Sequence, residues 1–398
     1  MFDRYTPPED GYAGSWVGRA WLPGANGPAV VRVQPDGVFD ISRSVATTSA
    51  LCDLADPVGA LRGAAGERIG DVEALLRNSD PARRDASRPW LLAPVDLQAI
   101  KAAGVTFVAS MLERVVEEQA KGDPAAAAGA RDALATEIGV DLAQVKPGSP
   151  EAASLKQALV RRGLWSQYLE VGIGPDAEIF TKAQPMSAVG FGADIGIHPA
   201  SAWSNPEPEV VLAVASSGRI VGATLGNDVN LRDFEGRSAL LLCKAKDNNA
   251  STAIGPFLRL FDEKFTLDDV RQAEIALHVA GEDGFVLDGT SAMRRISRDP
   301  ADIVGQAIGA THQYPDGFVV FLGTMFAPTK PREGGGGGFT HKPGDIVAIG
   351  SARLGTLVNR VRTSDQAPPW RFGVRALMAN LASRGLLEAA VAPDDHAG

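Results

Sequence analysis

The sequence predicts an α+β fold that is mostly β. Glycine accounts for 44 of the 398 residues and is spread along the chain, which indicates many turns. Short runs rich in β-branched residues recur after residue 163, each bounded by glycine, aspartate or proline. Helical patterns are concentrated in one earlier stretch, so strands and helices do not alternate regularly. These observations favour mixed sheets with few helices over a regular α/β fold.

The first ninety or so residues predict a small N-terminal α/β domain. The runs 29–33 and 37–41 have the composition of strands, and 71–77 has that of a helix. The polar stretch 78–89 is typical of a linker. We therefore expect one domain over 1–90 and a second, larger domain over 91–390.

A helical insertion follows near the start of the larger domain. Glu, Lys, Ala and Leu dominate residues 111–163, and these residue types favour helices. Breaks containing glycine and proline at 122–124 and 147–150 divide this stretch into about three helices.

The rest of the larger domain is predicted to be rich in strands. The strand-like runs are 210–215, 274–281, 318–324 and 345–350. The best helix candidates in this part are 233–246 and 300–310. The glycine run 334–338 predicts either a surface loop or a mobile flap over a site.

Charge and composition exclude several classes of partner. The 39 basic and 48 acidic residues give a formal net charge of −9, which argues against nucleic acid or an anionic membrane as the main partner. No apolar run approaches the roughly 18 residues of a membrane span, and the first residues lack the pattern of a signal peptide. Two cysteines without metal-type or redox-type spacing suit a reducing compartment. We expect a soluble, cytoplasmic, globular protein.

A predicted β-hairpin carries the most informative polar residues. Two strand-like runs surround Ser-Ser-Gly at 216–218. Successive side chains of a strand alternate between its faces, so Glu207 and Glu209 point the same way. Pairing across the turn places Asn227 opposite Glu207, one step from Asp228. Allowing for one residue of register error, three carboxylates converge at one end of the hairpin.

Three neighbouring carboxylates repel one another unless a positive charge lies between them. A divalent cation with oxygen ligands meets this need, and Mg²⁺ with open water positions fits best, with Mn²⁺ also possible. From spacing alone the alternative stays open, namely that Glu207 and Glu209 line a solvated strand face and Asp228 is a turn residue.

These segments resemble the signature of a known family. Glu207-x-Glu209, the segments 226–233 and 245–251, and Leu322-Gly323-Thr324 resemble the fumarylacetoacetate hydrolase superfamily in order and spacing. The resemblance covers roughly 91–390. Within that superfamily, the chain is most similar to the bacterial 2-keto-3-deoxy-D-pentonate dehydratases, through the segments 103–114, 163–170, 226–249 and 312–317.

The resemblance implies a mixed β-roll catalytic domain, a homodimer or homotetramer, and roles for particular residues. The implied metal ligands are Glu207, Glu209 and Asp228; the implied substrate contacts are Arg232, Thr324 and Lys182; and the implied active-site lysine is Lys246.

One position departs from the pattern of the hydrolytic relatives. Aligned on Gly104, those relatives carry a histidine and a glutamate where this chain has Ser110 and Glu113. The missing imidazole argues against hydrolysis of a carbon–carbon bond, because no group of that type is present to activate water. We place Ser110 and Glu113 with Lys246 in the expected catalytic set.

The resemblance implies a Mg²⁺-dependent dehydratase. Its substrate would be a 2-keto-3-deoxy-D-pentonate derived from D-xylonate or D-arabinonate, and its products 2,5-dioxopentanoate and water. A 2-keto acid can chelate the metal, which makes its C3 protons more acidic, and the reaction then needs a base at C3 and an acid at C4. Lys246 and Glu113 are the candidates, and their order is left open. Lys246 could serve as base with a pKa lowered by the cation, or it could stay charged and bind the substrate.

Two rival functions remain at this point. The same metal centre could serve a hydrolase or decarboxylase of acylpyruvates, fumarylacetoacetate or oxaloacetate. The second rival function is that of a non-catalytic metal-binding or scaffold protein. Lys246 and Arg232 beside the carboxylates argue against it, because a structural metal site does not need them.

Overall fold

The computed structural model describes residues 2–127, 129–130, 145–326, 328–332 and 338–388. Within these residues the strands are β1 Trp16–Leu22, β2 Gly27–Gln34, β3 Gly37–Asp40, β4 Glu67–Gly70, β5 Trp90–Leu92, β6 Ala99–Gly104, β7 Glu178–Ala183, β8 Asp194–Ile197, β9 Ser204–Asn205, β10 Pro208–Val214, β11 Ile220–Asp228, β12 Asn230–Leu231, β13 Thr252–Leu260, β14 Glu274–Ala280, β15 Val286–Ala292, β16 Phe318–Phe321, β17 Ile346–Ser351 and β18 Gly355–Thr363.

The helices of the described residues are fewer than the strands. In the same part of the chain they are α1 Thr48–Asp53, α2 Pro57–Gly63, α3 Val72–Asn78, α4 Val108–Gln119, α5 Pro150–Arg161, α6 Gln167–Ile173, α7 Arg232–Glu235, α8 Leu242–Lys246, α9 Leu267–Gln272, α10 Pro300–Ala307 and α11 Val374–Ser383. None of the helices in the described residues combines the length and the apolar character that a membrane crossing requires.

One large mixed sheet organises the molecule. Its strands lie in the order β4-β3-β2-β1-β13-β11-β10-β16-β6-β7, with β5 paired to β1. Neighbours are antiparallel except β6 and β16, which are parallel. A second sheet has the order β15-β14-β17-β18-β8, and β9 pairs with β12. Apolar side chains of both large sheets, among them Phe257 and Leu357, belong to one buried core.

The N-terminal strands extend the same sheet as the later strands. β1 pairs with β13, with Trp16 opposite Arg259. The boundary expected near residue 90 therefore separates two parts of one sheet, and the division into two domains stays a prediction.

The stretch 78–89 is a compact loop instead of the linker that its polarity suggested. The buried Asn78 side chain donates to the carbonyl oxygens of Asp85, Arg88 and Pro89, and it accepts from Asp85 N at 2.7 Å. The side-chain amide of Asn78 thus forms hydrogen bonds with four backbone groups of this loop, an arrangement that the polar composition of the stretch did not reveal.

The predicted helices of the insertion are found in part. α4 and α5 lie within or beside 111–163, whereas residues 128 and 131–144 are outside the described part. The predicted helix 233–246 is divided into α7, the 3₁₀ turn Ala239–Leu241 and α8. Ser238 is extended there, and its side chain caps the turn by accepting from Leu240 N. The glycine run 334–338 lies outside the described residues except for Gly338.

Candidate active site

The β10–β11 hairpin has the predicted register at its turn and a shifted register at its far end. Ala215 N donates to Arg219 O at 2.9 Å, as the pairing across Ser-Ser-Gly predicts. A β-bulge at Val221 then shifts the pairing by one residue. Asp228 N consequently donates to Glu207 O at 3.0 Å, so Asp228 lies level with Glu207.

The three carboxylates converge, as predicted. One oxygen from each of Glu207, Glu209 and Asp228 lies within 4.8 Å of the others. All three residues are buried, with 3%, 1% and 2% of their surfaces exposed. Carboxylates this close and this dry need positive charge nearby to stay ionised.

Protein cations supply part of this charge. Lys246 Nζ lies 2.6 Å from Glu207 Oε2 and 3.1 Å from Asp228 Oδ2. Lys182 Nζ lies 3.2 Å from Asp228 Oδ1, and Arg114 Nη2 contacts Glu207 Oε1. Two of the three carboxylates are therefore paired with protein cations.

Glu209 is the carboxylate without such a partner. Its Oε2 accepts a hydrogen bond from Gly323 N at 2.7 Å. In the described part of the chain, no lysine or arginine forms an ion pair with it. Burial, followed by repulsion from Asp228 and Glu207, raises the pKa of Glu209 well above its ordinary value. A cation held by oxygen ligands fits this site, and Glu207, Glu209 and Asp228 could hold it.

Lys246 lies at the end of α8 and is buried. From the sequence we expected a bound cation to lower the pKa of Lys246. The protein groups of the site, without a metal ion, raise that pKa instead. Burial lowers the pKa of Lys246, but attraction to Asp228 and Glu207 outweighs burial, so the pKa lies above the ordinary value. The ammonium therefore stays charged until another cation offsets these carboxylates.

Lys182 is buried on β7 and contacts the protein on several sides. Besides its ion pair with Asp228, its Nζ donates to the carbonyl oxygens of Lys246 and Ser251, the latter at 3.1 Å. Burial lowers the pKa of Lys182. These contacts fix the loop that follows α8, and the expected contact with substrate stays a prediction.

Arg232 joins α7 to one face of α4. Its Nε lies 2.5 Å from Glu117 Oε1, and its Nη2 lies 2.9 Å from Glu113 Oε2. Its Nη1 donates to Pro328 O at 3.1 Å, and its guanidinium lies over the Trp203 ring at 4.6 Å. The guanidinium is thereby fixed in position against α4 and the Trp203 ring.

Ser110 and Thr324 bond mainly to their own segments. Ser110 Oγ donates to Phe107 O at 2.9 Å, within the first turn of α4. Thr324 Oγ1 donates to Phe326 O at 3.1 Å, and Thr324 directly follows the Gly323 amide that contacts Glu209. The structure brings together the three carboxylates, Lys246 and Lys182, whereas no hydrogen bond between Ser110 or Thr324 and that cluster occurs among the described residues.

Sequence reasoning missed several charged residues of the site. Arg114 on α4 contacts Glu117 at 2.6 Å and Glu235 at 3.4 Å, besides Glu207. The spacing of residues 113, 114 and 117 on one helix could have indicated a charged face. Glu178 was also missed, although its place four residues before Lys182 puts both on one face of a strand.

Comparison with known proteins finds a family match that covers this site. Residues 171–362, just under half of the chain, match the family described as fumarylacetoacetate (FAA) hydrolase C-terminal. This segment includes the three carboxylates, Lys182 and Lys246.

Two curated relatives share about half of this chain. The 2-dehydro-3-deoxy-D-arabinonate dehydratase of Saccharolobus solfataricus is 30% identical over 185 residues, which are 46% of this chain and 58% of that protein. A probable 2-keto-3-deoxyxylonate dehydratase of Haloferax volcanii is 30% identical over 196 residues, 49% of this chain and 64% of that protein. The chain thus spans less than two thirds of the length of either relative.

Solved structures confirm the fold class. A structure described as 2-keto-3-deoxy-D-arabinonate dehydratase complexed with magnesium and 2,5-dioxopentanoate has a TM-score of 0.62 at 20% identity, covering 87% of this chain and 99% of that one. The apo form gives the same TM-score and coverage at 21% identity. The predicted mostly-β fold of the fumarylacetoacetate hydrolase type, with additional N-terminal residues, is therefore confirmed.

Proposed function

We propose that this protein is a Mg²⁺-dependent dehydratase that converts a 2-keto-3-deoxy-D-pentonate to 2,5-dioxopentanoate and water. The observation that carries the proposal is the buried triad of Glu207, Glu209 and Asp228 beside Lys246. The names of the two curated relatives support the same reaction class.

The proposed metal ligands are the three triad carboxylates, and this assignment is supported by Glu209, which forms no ion pair with a lysine or arginine among the described residues. When bound, Mg²⁺ supplies a positive charge that polarises the 2-keto group and makes the C3 protons more acidic. We assign substrate contacts to Arg232, Thr324 and Lys182, with Thr324 facing the substrate carboxylate.

Lys246 and Glu113 are the proton-transfer candidates predicted from the sequence. A divalent cation on the triad would share the charge of Glu207 and Asp228, which lowers the pKa of Lys246 and suits it to act as the base at C3. Glu113 lies 2.9 Å from Arg232, which supports a role in holding that guanidinium. Ser110 supports dehydration over hydrolysis, because a hydroxyl bonded to its own helix cannot replace an imidazole as a base.

The decisive experiment is an assay of the purified protein with Mg²⁺. Its substrates are 2-keto-3-deoxy-D-xylonate, the L isomer and an acylpyruvate. We expect a semialdehyde from at least one keto-deoxy acid and loss of the activity in EDTA. Release of carbon dioxide or of two acids would instead identify the decarboxylase or hydrolase, and absence of turnover would favour a metal-binding protein without catalysis.

The proposal extends to assembly and location. We expect a homodimer or homotetramer, and light scattering after gel filtration measures the oligomeric state. We also expect the protein to lie in the cytoplasm and to act in the oxidative breakdown of pentoses.

A further inference from the structure

We propose that a cavity between β1, β5 and the segment 368–372 is a binding site for a small planar aromatic carboxylate. The site goes beyond the proposed dehydratase activity and does not depend on it. The described residues that line this cavity include no triad carboxylate and neither Lys182 nor Lys246. The walls, the charge and the size of the cavity each support the proposal.

Four aromatic side chains line the cavity. Trp21 of β1 and Trp90 of β5 are paired across the two strands, and their rings stack with centroids 5.8 Å apart. The Phe372 ring meets the Trp21 ring edge-on at 5.1 Å. Trp370 is 46% exposed, and its Nε1 donates to Phe372 O at 3.0 Å. Flat apolar walls of this kind favour a planar ring as the occupant.

Contacts within the chain hold the segment 368–372 in place. Asn249 Nδ2 donates to Ser364 O at 3.0 Å and to Pro368 O at 3.2 Å, and Asn249 itself lines the cavity. At the other end of the segment, Phe372 packs against Trp21. The wall is therefore largely formed by the fold, which lowers the ordering cost of binding.

Arg84 supplies a cation at the cavity wall. Its guanidinium lies over the Trp90 ring at 4.6 Å. Its Nε and Nη2 donate to the carbonyl oxygens of Asn78 and Ser79, at 3.3 and 2.8 Å. Among the described residues, its Nη1 forms no hydrogen bond and no carboxylate lies within ion-pair distance of the guanidinium. This guanidinium can therefore donate to the carboxylate of a ligand.

The nearby carboxylates are shared with other arginines. Asp80 and Asp194 attract Arg84 from beyond ion-pair distance. Arg360 lies 3.4 Å from Asp80 and 3.8 Å from Asp194, and Arg362 lies 3.8 Å from Asp194. Three arginines thus share two carboxylates, which leaves an excess positive charge beside the aromatic walls. A carboxylate ligand would balance this charge.

The size of the cavity limits the ligand. Its volume is about 280 Å³. Pockets for small organic ligands span about 300–1,000 Å³, so this cavity suits a molecule of one or two fused rings. The exposed Trp370 lies where the cavity meets solvent, which gives such a molecule a route of entry.

The test measures binding of 2-naphthoate to the full chain by calorimetry in EDTA. This probe carries a carboxylate on two fused rings, and EDTA prevents binding through a metal ion at the triad. We expect saturable binding of one molecule per chain. The neutral 2-naphthamide has the same rings and should bind more weakly by on the order of tenfold, because a charged hydrogen bond with Arg84 is lost.

Two variants and a control locate the probe. Arg84→Gln should weaken binding of 2-naphthoate by on the order of tenfold and leave the affinity for 2-naphthamide unchanged. Arg83→Gln, at an exposed arginine that does not line the cavity, is the matched control and should behave as wild type. Because Arg84 also bonds to the loop 78–89, Trp370→Ala is tested too. It removes an exposed ring and should weaken binding of both probes.

Several results would overturn the proposal. These are absence of saturable 2-naphthoate binding to the wild type, equal affinity of the two probes, and unchanged affinity for 2-naphthoate in Arg84→Gln or in Trp370→Ala. Competition between 2-naphthoate and pyruvate in the presence of Mg²⁺ would place the probe at the triad and would also overturn it. A protein that binds 2-naphthoate as expected but converts no 2-keto-3-deoxy acid would contradict the dehydratase proposal alone.

Discussion

The buried Glu209 carboxylate lies where ionisation costs free energy. It lies beside Glu207 and Asp228, and its hydrogen bond comes from the neutral amide of Gly323. Removing its charge while keeping its shape should therefore relieve repulsion in the metal-free protein. The same change should remove one ligand from the holo site.

The first prediction concerns Glu209→Gln. In EDTA at pH 7.5 we expect its free energy of unfolding to exceed that of the wild type by about 1–3 kcal/mol. Folding of the wild type must either bury Glu209 charged or bind a proton to it, whereas the amide needs neither and keeps the Gly323 contact. Added Mg²⁺ should stabilise the wild type and not the variant. Urea unfolding with and without Mg²⁺ measures both effects. Glu151→Gln, at an exposed carboxylate, serves as control. If Glu209→Gln is less stable than the wild type in EDTA, the prediction is contradicted.

Lys246 supports a second prediction at this scale. If Lys246 is the base, Lys246→Met should abolish exchange of the C3 protons of the substrate with deuterium oxide in the presence of Mg²⁺. Proton NMR of the recovered substrate follows the exchange. The substitution also removes a positive charge beside Glu207 and Asp228, which could change Mg²⁺ binding. Calorimetry therefore measures Mg²⁺ binding to the variant in parallel. Exchange that survives with metal bound shows that another group is the base.

At the scale of elements, the site is assembled where strand ends meet helix α4. The bulge in β11 brings Asp228 level with Glu207, and α4 places Arg114 against the same carboxylate. A second charged cluster fixes the segment before β17. The buried Arg332 contacts Asp345 at 2.7 and 2.8 Å, and His341 Nδ1 lies 3.3 Å from Asp345 Oδ2. This cluster ties residues 328–332 to the entry of β17.

The His341 cluster gives a prediction on pH and stability. Burial lowers the pKa of His341, attraction to Asp345 opposes this, and Arg332 adds to the lowering. The unfolded chain therefore takes up a proton near pH 6.5 while the folded protein does not, so stability falls as pH decreases below that value. The slope from this residue is at most about 1.4 kcal/mol per pH unit.

The measurement is urea unfolding at pH 7.5 and 5.5. We expect His341→Gln to lose less stability over this interval than the wild type does. His312→Gln, at an exposed histidine, is the matched control and should follow the wild type. Equal pH dependence in all three proteins would mean that His341 makes no such contribution.

At the scale of the whole molecule, one sheet joins the N-terminal residues to the strands that carry the site. β1 covers an edge of β13, and β13 lies beside β11, which contributes Asp228. The buried Trp16 belongs to the same core as Phe257 of β13. The N-terminal residues are therefore part of the support of the candidate active site.

This continuity predicts a single cooperative unfolding transition for the chain. Far-UV circular dichroism and tryptophan fluorescence should give coincident urea transitions, because the shared sheet couples both parts. A chain that lacks residues 1–92 should be destabilised or insoluble, since an edge of β13 becomes exposed. Adding the fragment 1–92 in trans should recover folded protein. Two separate transitions, or a shortened chain with an unchanged midpoint, would contradict this expectation.

The sequence alone was sufficient for the fold class and for the acidic cluster. Alternation along a strand puts Glu207 and Glu209 on one face, and a two-strand turn brings Asp228 to within one residue of them. These are short-range consequences of backbone geometry, so periodicity and turn residues reveal them. The segments around Lys246 likewise carried a resemblance to a known family, and they lie within the part of the chain that matches that family's model.

The tertiary structure decided what depends on distant residues. The bulge at Val221 set the final register, and the pairing of β1 with β13 made one sheet of two expected domains. The raised pKa values of Lys246 and Glu178 arise from burial and from charges that meet only after folding. The sequence by itself determined which chemical groups lie along each strand, whereas the fold determined which of them are paired, because burial and Coulomb attraction act between neighbours in space.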